Sequence, residues 1–432
     1  MLAIIPNFLP PFGVVIVNFI DVILAWGWLF MLFLTLWVAW EVYLFIKRVD
    51  FTASIKWTYL QISVPEDNLQ TPKAMENAIE VWGGIHKDPD IVEKLFDGYM
   101  LAWYSCELQC QKNRVRYIMV VPTVHAKFFE GVIYGQYPRA EVKEVEDYTQ
   151  EYHYKNLEKT FDMFGTEIVL VKDDIYPIRF YLDYQDNLAE EDKFIDPHQA
   201  LIEAYSNIDD GEQFWVQFLV KPVGAKVIDA WSQSGMKKIR EISGEKEETS
   251  PGIIGQLFSW LVSLPIEAVG LLLRGPTEDD KKKEEKGRFF INAAEDAEIK
   301  GILQKTSRAG FKTKIRLIYI SPAGKLSKPN ISKAIGAFKQ FNSFHLNSLK
   351  PDSATKTNGP NYFLKSTRRR YRKRHVLLDY QWRDFWGDAS GQMFSAEELA
   401  TLYHFPIKYV RAPGIEHSAA GAGGPPSNLP YV

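Results

Sequence analysis

The longest uncharged stretch of the chain lies near its N-terminus. Residues 22–40 (VILAWGWLFMLFLTLWVAW) carry no charged side chain, and a helix of that length suits roughly 30 Å of hydrocarbon. It contains aromatic residues of the kind that favour membrane interfaces, namely Trp26, Trp28, Trp37 and Trp40. The pattern predicts a transmembrane helix over residues 22–46, preceded by an apolar N-terminal segment over residues 1–21.

The charges around this stretch predict its orientation. Lys47 and Arg48 follow it, and no basic residue precedes it. The positive-inside rule therefore predicts a single-pass protein of the cytoplasmic (inner) membrane, with its N-terminus outside and its bulk in the cytoplasm. A cleaved signal peptide is the alternative, but the chain lacks a basic n-region and a small-x-small cleavage site after the apolar run.

The chain after the anchor alternates between strand-like and helix-like periods. Strands are predicted at 57–64, 100–110, 115–121 and 140–147, with helices at 71–82, near 89–96 and at 124–135. Thr71 and Pro72 supply an N-cap and an N1 proline for the first helix. The main elements follow a β-α-β-β-α-β order, which is the ferredoxin-like pattern, and they predict a first domain over residues 51–150.

A second α+β domain is predicted over residues 160–352. Its strands are expected at 166–172, 177–184, 213–221 and 314–320, and its helices at 197–206, 223–242, 291–307 and 328–341. A charge-rich, poorly periodic insertion over 243–288 interrupts it. The predicted fold class is therefore α+β, with an N-terminal transmembrane helix followed by ferredoxin-like (βαββαβ) units and a helical insertion.

The insertion contains a second apolar segment, residues 251–274, which polar residues and a proline interrupt. A membrane span would place Glu267 in lipid, so a segment lying on the membrane, or a docking helix for a partner, fits better. On the first of these interpretations Phe258 and Trp260 would contact the membrane interface. A helical hairpin folded onto the domain is an equally open alternative.

Composition and motifs offer no catalytic chemistry. The formal net charge of -3 names no partner, and the only cysteines, Cys106 and Cys110, are expected to be buried free thiols. The chain has no GxxxxGK[ST], GxSxG, HExxH or GxGxxG sequence, and its histidines are scattered. We therefore predict a protein that is not an enzyme, with no catalytic, cofactor-binding or metal-binding residues.

One charged run exceeds the background, and it lies in a predicted C-terminal segment over residues 353–411. Its seven basic residues are Lys365, Arg368, Arg369, Arg370, Arg372, Lys373 and Arg374. Such a run can neutralise nucleic-acid phosphates or an anionic membrane surface. A solvated basic helix, or a strip that docks an acidic partner, is the alternative. The tail over 412–432 is rich in proline and glycine and is expected to be flexible.

A short helix is predicted before this tail. Ser395 and Glu398 have the spacing of a capping box, and Pro406 would end the segment that they open.

Four segments together resemble a known family: 211–222 (GEQFWVQFLVKP), 314–319 (KIRLIY), 337–351 and 395–406 (SAEELATLYHFP). They are similar to the N-terminal, non-motor region of type IV secretion (conjugation) ATPases, and most similar to a membrane-anchored group of unknown function related to that region. In full-length relatives a segment like Pro425–Pro430 leads into the P-loop ATPase domain, and this chain has no P-loop. The resemblance covers about residues 57–430.

The resemblance implies a membrane-anchored adaptor of a secretion or conjugation machine that docks a separate P-loop ATPase. It implies docking residues in the C-terminal motif, namely Glu397, Glu398, Leu399, Leu402, Tyr403, Phe405 and Pro406. The expected partners are that ATPase and membrane lipid, with DNA and a second copy of the chain left open. The alternative function is a membrane-tethered nucleic-acid-binding protein that uses residues 365–374.

Overall fold

The computed structural model describes residues 12–112, 114–186, 193–194, 196–244, 292–358, 364–385 and 391–408. Its first element is one long helix, α1 (Phe12–Ser54), which extends beyond the predicted span of 22–46 at both ends. At 1.5 Å per residue, its 43 residues are about 64 Å long. From Gly27 to Ser54 this helix is long and apolar enough to cross a membrane, and almost none of its most apolar window is buried against protein.

The first half of the remaining chain contains four strands and two α-helices. They are β1 (Trp57–Ser63), α2 (Pro72–Trp82), β2 (Tyr104–Gln111), β3 (Arg114–Pro122), α3 (Ala126–Gln136) and β4 (Glu141–Glu144). The strands lie in the order β2-β3-β1-β4, and each neighbouring pair is antiparallel. The predicted order of elements is confirmed, and the helix expected near 89–96 appears as a single π-helical turn at Glu93–Asp97.

The second half has more elements. They are β5 (Phe161–Leu170), β6 (Gln185–Asp186), β7 (Lys193–Phe194), α4 (Pro197–Ser206), β8 (Gln213–Pro222), α5 (Ala225–Ile242), α6 (Ala293–Thr306), β9 (Gly310–Pro322), α7 (Lys328–Ala337) and β10 (Leu349–Pro351). After them come α8 (Lys365–Gln381), β11 (Gln392–Ser395) and α9 (Ala396–Leu402).

Strands from both halves form one antiparallel sheet in the order β10-β5-β9-β8-β2-β3-β1-β4. The order β10-β5-β9-β8 repeats that of the first half, with α5 and α6 inserted between β8 and β9. The equivalent strands β2 and β8 pair with each other, from Tyr104 opposite Val220 to Gln111 opposite Gln213. The sheet is therefore built from two similarly connected halves joined edge to edge. In addition, β11 pairs with the first residues of β9.

Helices cover both faces of the sheet. Residues of α2, α3, α4, α7 and α9 pack with one face in the main hydrophobic cluster. On the other face Val376, Leu377 and Tyr380 of α8 pack with Trp215 and Ile318. Because successive residues of a strand point to opposite faces, β8 is apolar on both sides, and this explains its nearly continuous run of large side chains.

The sequence prediction was wrong at two places in the second half. The strand expected at 177–184 is absent, and Tyr181–Tyr184 form a 3₁₀ turn instead. The backbone amides of Ile178 and Tyr181 donate to the side chains of Glu398 and Thr401, at 2.8 and 2.9 Å, instead of to a neighbouring strand. The short strands β6, β7, β10 and β11 were not predicted. The apolar segment 251–274, with Phe258 and Trp260, lies outside the described residues.

The mixture of helices with an antiparallel sheet, behind one N-terminal apolar helix, is confirmed. The assignment of the two halves as ferredoxin-like units stays a prediction.

Candidate functional site

From Trp28 to Trp40, helix α1 exposes apolar side chains on all of its sides. Trp28, Trp37 and Trp40 are all exposed, and so are Phe33 and Leu36 between them. Trp26 lies in the same helix, but its side chain is outside the described set. A helix that is apolar all round is suited to a lipid environment, because water would solvate this surface poorly.

The C-terminal end of α1 is joined closely to the rest of the chain. Residues 90–98, called here the 90–98 turn, pack on α1 around Lys47. Gly98 has a φ of +64°, and a Cβ built there would lie 2.4 Å from the carbonyl of Lys47. The rings of Phe51 and Tyr99 meet at 5.1 Å between centroids. Arg48 is exposed in the same part of the helix.

Gly98→Ala should loosen this joint. The left-handed backbone alone penalises a side chain by about 1–2 kcal/mol, and the overlap with the α1 backbone adds to that cost. We expect a clearly lower urea midpoint for the full chain in detergent. Gly84→Ala is the matched control, because a Cβ there meets nothing within 4 Å. Equal midpoints for the two variants would contradict the close backbone contact.

A cleft of about 510 Å³ lies beside this joint, between the end of α1 and the sheet. Residues from four regions line it, including Val49, Thr52, Trp57, Tyr59, Trp103, Asp147, Trp382 and Arg383. Burial raises the pKa of Tyr59 to about 12, so this phenol stays protonated at neutral pH. The lining of the cleft thus includes several aromatic rings and the ion pair between Arg383 and Asp147.

Arg383 is the centre of a buried ionic network. Its Nε donates to Glu107 at 3.1 Å and its Nη1 to Asp147 at 2.7 Å. The Tyr148 hydroxyl donates to Glu107 at 2.8 Å. Burial by itself would raise the pKa of Asp147, but the hydrogen bonds and charge of Arg383 outweigh it and lower the pKa to about 2.

This network continues across the sheet as a row of polar residues in register. Glu107 of β2 lies opposite Gln217 of β8, which lies opposite Arg316 of β9, which lies opposite Glu167 of β5. Gln217 donates to Glu107 at 2.9 Å, and Arg316 donates to both Gln217 and Glu167 at 3.1 Å. Because the row crosses the β2–β8 pair, it links the two halves of the sheet beneath α8.

The chemistry of this network favours a structural role. Its charges are buried and hydrogen-bonded to one another, which leaves none of them facing open solvent. Trp103 Nε1 donates to the Arg383 carbonyl at 2.9 Å, and the Arg316 Nη1 donates to the Asp379 carbonyl at 2.9 Å. The network therefore ties the end of α8 to β2 and β9.

The basic run forms the N-terminal part of α8, and several of its charges have partners within the chain. Lys373 is buried and pairs with Glu158 at 3.1 Å and with Asp162. Arg370 pairs with Glu158 at 2.9 Å, and Arg372 donates to the Lys356 carbonyl. Arg374 lies over the ring of Tyr154. Lys365 is exposed, whereas Arg368 and Arg369 are half-buried. The run is thus in part the side of α8 that attaches to β5 and its preceding loop.

The C-terminal motif forms α9, and the predicted capping box is confirmed. The Ser395 hydroxyl accepts from the Glu398 amide, and the Glu398 carboxylate accepts from the Ser395 amide at 2.9 Å. Glu398 also pairs with Lys305 at 3.1 Å, and both side chains are fully buried. Gln304 donates to Glu397 at 3.0 Å.

The structure presents no exposed surface at the motif for which a docking role was predicted. Its residues are buried in the protein interior: Glu397, Glu398, Leu399, Leu402, Tyr403, Phe405 and Pro406. They contact α2, α4 and the 177–184 segment, as the Ile178 and Tyr181 amides illustrate. A partner could reach these side chains only by unpacking the core, so the structure gives the motif an internal packing role.

A buried histidine pair lies beside α9. His404 Nε2 lies 2.9 Å from Asp196, and His198 Nε2 donates to the Leu402 carbonyl at 2.6 Å. Burial, together with the nearby His404, lowers the pKa of His198 to about 3. His198 is therefore neutral in the folded chain at pH values where an unfolded chain would already be protonated.

We expect His198 to make folding sensitive to mild acid. Below its ordinary pKa of about 6.5 the unfolded chain binds a proton that the folded chain does not, so stability falls as pH falls. One such proton is worth about 1.4 kcal/mol per pH unit. Urea midpoints from pH 7 to 5 should fall for the unmodified chain and fall less steeply for His198→Gln. Parallel slopes would contradict the assignment.

Cys106 and Cys110 both lie on β2 and are buried free thiols, as predicted. Burial raises the pKa of each thiol. In the described part of the chain, no group of three or more His, Cys, Asp or Glu side chains has the arrangement of a metal site.

No protein-family model matches this chain, and no curated protein matches it either. A functional proposal therefore depends on the geometry of the chain itself.

Proposed function

We propose that this protein is a membrane-anchored component of a type IV secretion-like or conjugation-like machine that holds a separate P-loop ATPase at the membrane. The observation that carries the proposal is the exposed apolar helix α1, joined by backbone contact at Gly98 to a large antiparallel sheet. An adaptor needs an anchor, a stiff connection and a broad protein surface, and this arrangement supplies all three.

The segments that carry the family resemblance support the proposal because they meet in one part of the fold. Residues 211–222 and 314–319 lie on the paired strands β8 and β9. Residues 337–351 lead into β10, which pairs with β5 next to β9, and 395–406 begin where β11 pairs with β9. Four segments that are distant in sequence thus belong to the same half of the sheet.

The ferredoxin-like assignment is part of this proposal. Each half has the element order β-α-β-β-α-β and the same antiparallel strand order, once the α5–α6 insertion and the separate β6–β7 pair are set aside. Such units bury their helices on one face and offer edges and helix surfaces for protein contacts. The proposed orientation places Lys47 and Arg48 on the cytoplasmic side of the inner membrane, with the sheet below them.

The ATPase contact is proposed for the C-terminal tail, residues 412–432, since the α9 side chains are buried. The test is co-purification from detergent extracts with a co-expressed P-loop ATPase of the secretion class. A chain that ends at residue 411 retains all the described elements and should lose the ATPase. The control is Phe344→Ser, a substitution at an exposed position in another part of the chain. Undiminished capture by the shortened chain would refute docking through the tail.

Nucleic-acid binding through residues 365–374 is the alternative function. The exposed Lys365 favours it, and the internal partners of Arg370, Arg372, Lys373 and Arg374 oppose it. Each phosphate contact lowers log K by about 0.7–0.9 per decade of salt. A steep salt dependence that disappears on replacing Arg368, Arg369, Arg370 and Arg372 with alanine would favour this function over the adaptor.

A further inference from the structure

We propose that the 90–98 turn is a second membrane contact, whose apolar side chains insert into the interface of the leaflet from which α1 emerges. The inference rests on the proposed membrane crossing by α1. It adds a lipid-binding surface on the soluble part of the chain, and this surface would set how the sheet is held against the bilayer.

The position of the turn along α1 is the first argument. Lys47 and Arg48 are the first basic residues after the apolar stretch, where such a helix leaves the hydrocarbon. Tyr43 stacks near Trp40 at 5.7 Å, and Lys47 lies over the Tyr43 ring, as in an interfacial aromatic belt. The turn contacts the α1 backbone at this level.

The depth is also consistent with insertion. Gly98 of the turn contacts α1 at Lys47, and the next residue, Tyr99, contacts Phe51. Four residues of helix rise about 6 Å, and the headgroup layer on one side of a bilayer is roughly 5–8 Å thick. A helix that leaves the hydrocarbon at Lys47 therefore brings the turn into the headgroup layer.

Three large apolar side chains of the turn are exposed. Ile91, Val92 and Phe96 are 69%, 56% and 58% exposed. Apolar side chains presented from a short turn beside a membrane helix are the kind that bury in the interface. Trp382, also exposed, lines the cleft with Val49 and Thr52, which places a further aromatic ring close to the same level.

The shape of the turn is locked by polar contacts that leave these apolar side chains outside. Glu93 accepts from the Asp90 amide at 3.0 Å and from Lys87. The Tyr99 amide donates to the Glu93 carbonyl at 2.9 Å. The turn is therefore preorganised, and little conformational freedom remains to be lost when it enters the lipid.

Charge does not drive this contact. Five acids and four bases lie at the turn and the adjacent part of α1, namely Asp50, Asp88, Asp90, Glu93, Asp97, Lys47, Arg48, Lys87 and Lys94. Because these charges nearly balance, attraction to anionic lipid is weak, and insertion should depend on apolar burial instead.

The test places a fluorescent probe on single introduced cysteines of the full chain, reconstituted in vesicles that contain spin-labelled lipid. The variants are Val92→Cys and Phe96→Cys in the turn, Val38→Cys in α1, and Phe344→Cys as the matched exposed control. Phe344 precedes β10, the edge strand at the opposite end of the sheet from β4. The unmodified chain is the labelling blank, because Cys106 and Cys110 are buried.

Probes at 92 and 96 should be quenched several-fold more than the probe at 344, and most strongly by labels near the headgroups. The quenching should be equal in neutral vesicles and in vesicles with anionic lipid. Quenching at 38 without quenching at 92 and 96 would overturn the second contact and leave the anchor intact. No quenching at 38 would overturn the anchor itself. Quenching at 92 and 96 only with anionic lipid would overturn apolar insertion.

Discussion

Arg383→Met should lower the free energy of unfolding by about 3–5 kcal/mol, the range for breaking a buried ion pair from one side. Methionine has an apolar side chain of similar length, but it leaves Glu107 and Asp147 buried without their cation. Glu107 is fully buried and Asp147 nearly so. The measurement is urea unfolding of the full chain in detergent, followed by tryptophan fluorescence.

An exposed ion pair on α8, the helix that precedes Arg383, provides the matched control. Arg370→Met removes the pair with Glu158, and Arg370 is largely exposed. Exposed pairs are worth about 0–1 kcal/mol, so this variant should unfold close to the unmodified chain. Adding Glu107→Gln to Arg383→Met should cost much less than the sum of the single changes. Additive losses would show that the network is not an energetic unit.

Arginine at the centre of α1 should release the chain from the membrane. Each arginine at the middle of a transmembrane helix costs about 2.5–3.5 kcal/mol, which is a factor on the order of a hundred in partition. We expect Leu34→Arg combined with Leu36→Arg to move the chain from the membrane fraction to the soluble or aggregated fraction. The measurement is the membrane-bound fraction after cell lysis.

Phe344→Arg is the control for this pair, because it adds a charge at an exposed apolar position outside α1. It should leave the membrane-bound fraction unchanged. If the double variant stays in the membrane as the unmodified chain does, another segment provides the anchor, and residues 251–274 are the first candidate.

Much of the fold could be predicted from local sequence patterns. The uncharged run of α1, the alternation in β1, and the N1 proline of α2 are signals within a few residues of each other. The capping box of α9 is also local, and the prediction of its hydrogen bonds was correct. Such elements depend on neighbouring residues, so the sequence is enough to predict them.

Features that depend on distant contacts could not be predicted in this way. Glu107 and Arg383 are 276 positions apart, and their pairing follows from the fold, not from spacing. The 177–184 segment has the pattern of a strand, but its backbone amides at Ile178 and Tyr181 donate to the side chains of Glu398 and Thr401 on α9. The short strands β10 and β11 exist because longer strands lie beside them.

The burial of the C-terminal motif could not be predicted for the same reason. Acids such as Glu397 and Glu398 are seldom buried, so a run that contains them suggests a surface. Here Gln304 and Lys305, some 93 positions earlier, provide the partners that make burial tolerable. A buried cluster of this kind cannot be told from an exposed one until the partners are known.

The most direct test of the anchoring claim is alkaline carbonate extraction of membranes from cells that express the full chain. A helix that crosses the bilayer holds the chain in the membrane pellet, where we predict the protein to remain until detergent is added. Recovery of the protein in the carbonate supernatant would contradict the account.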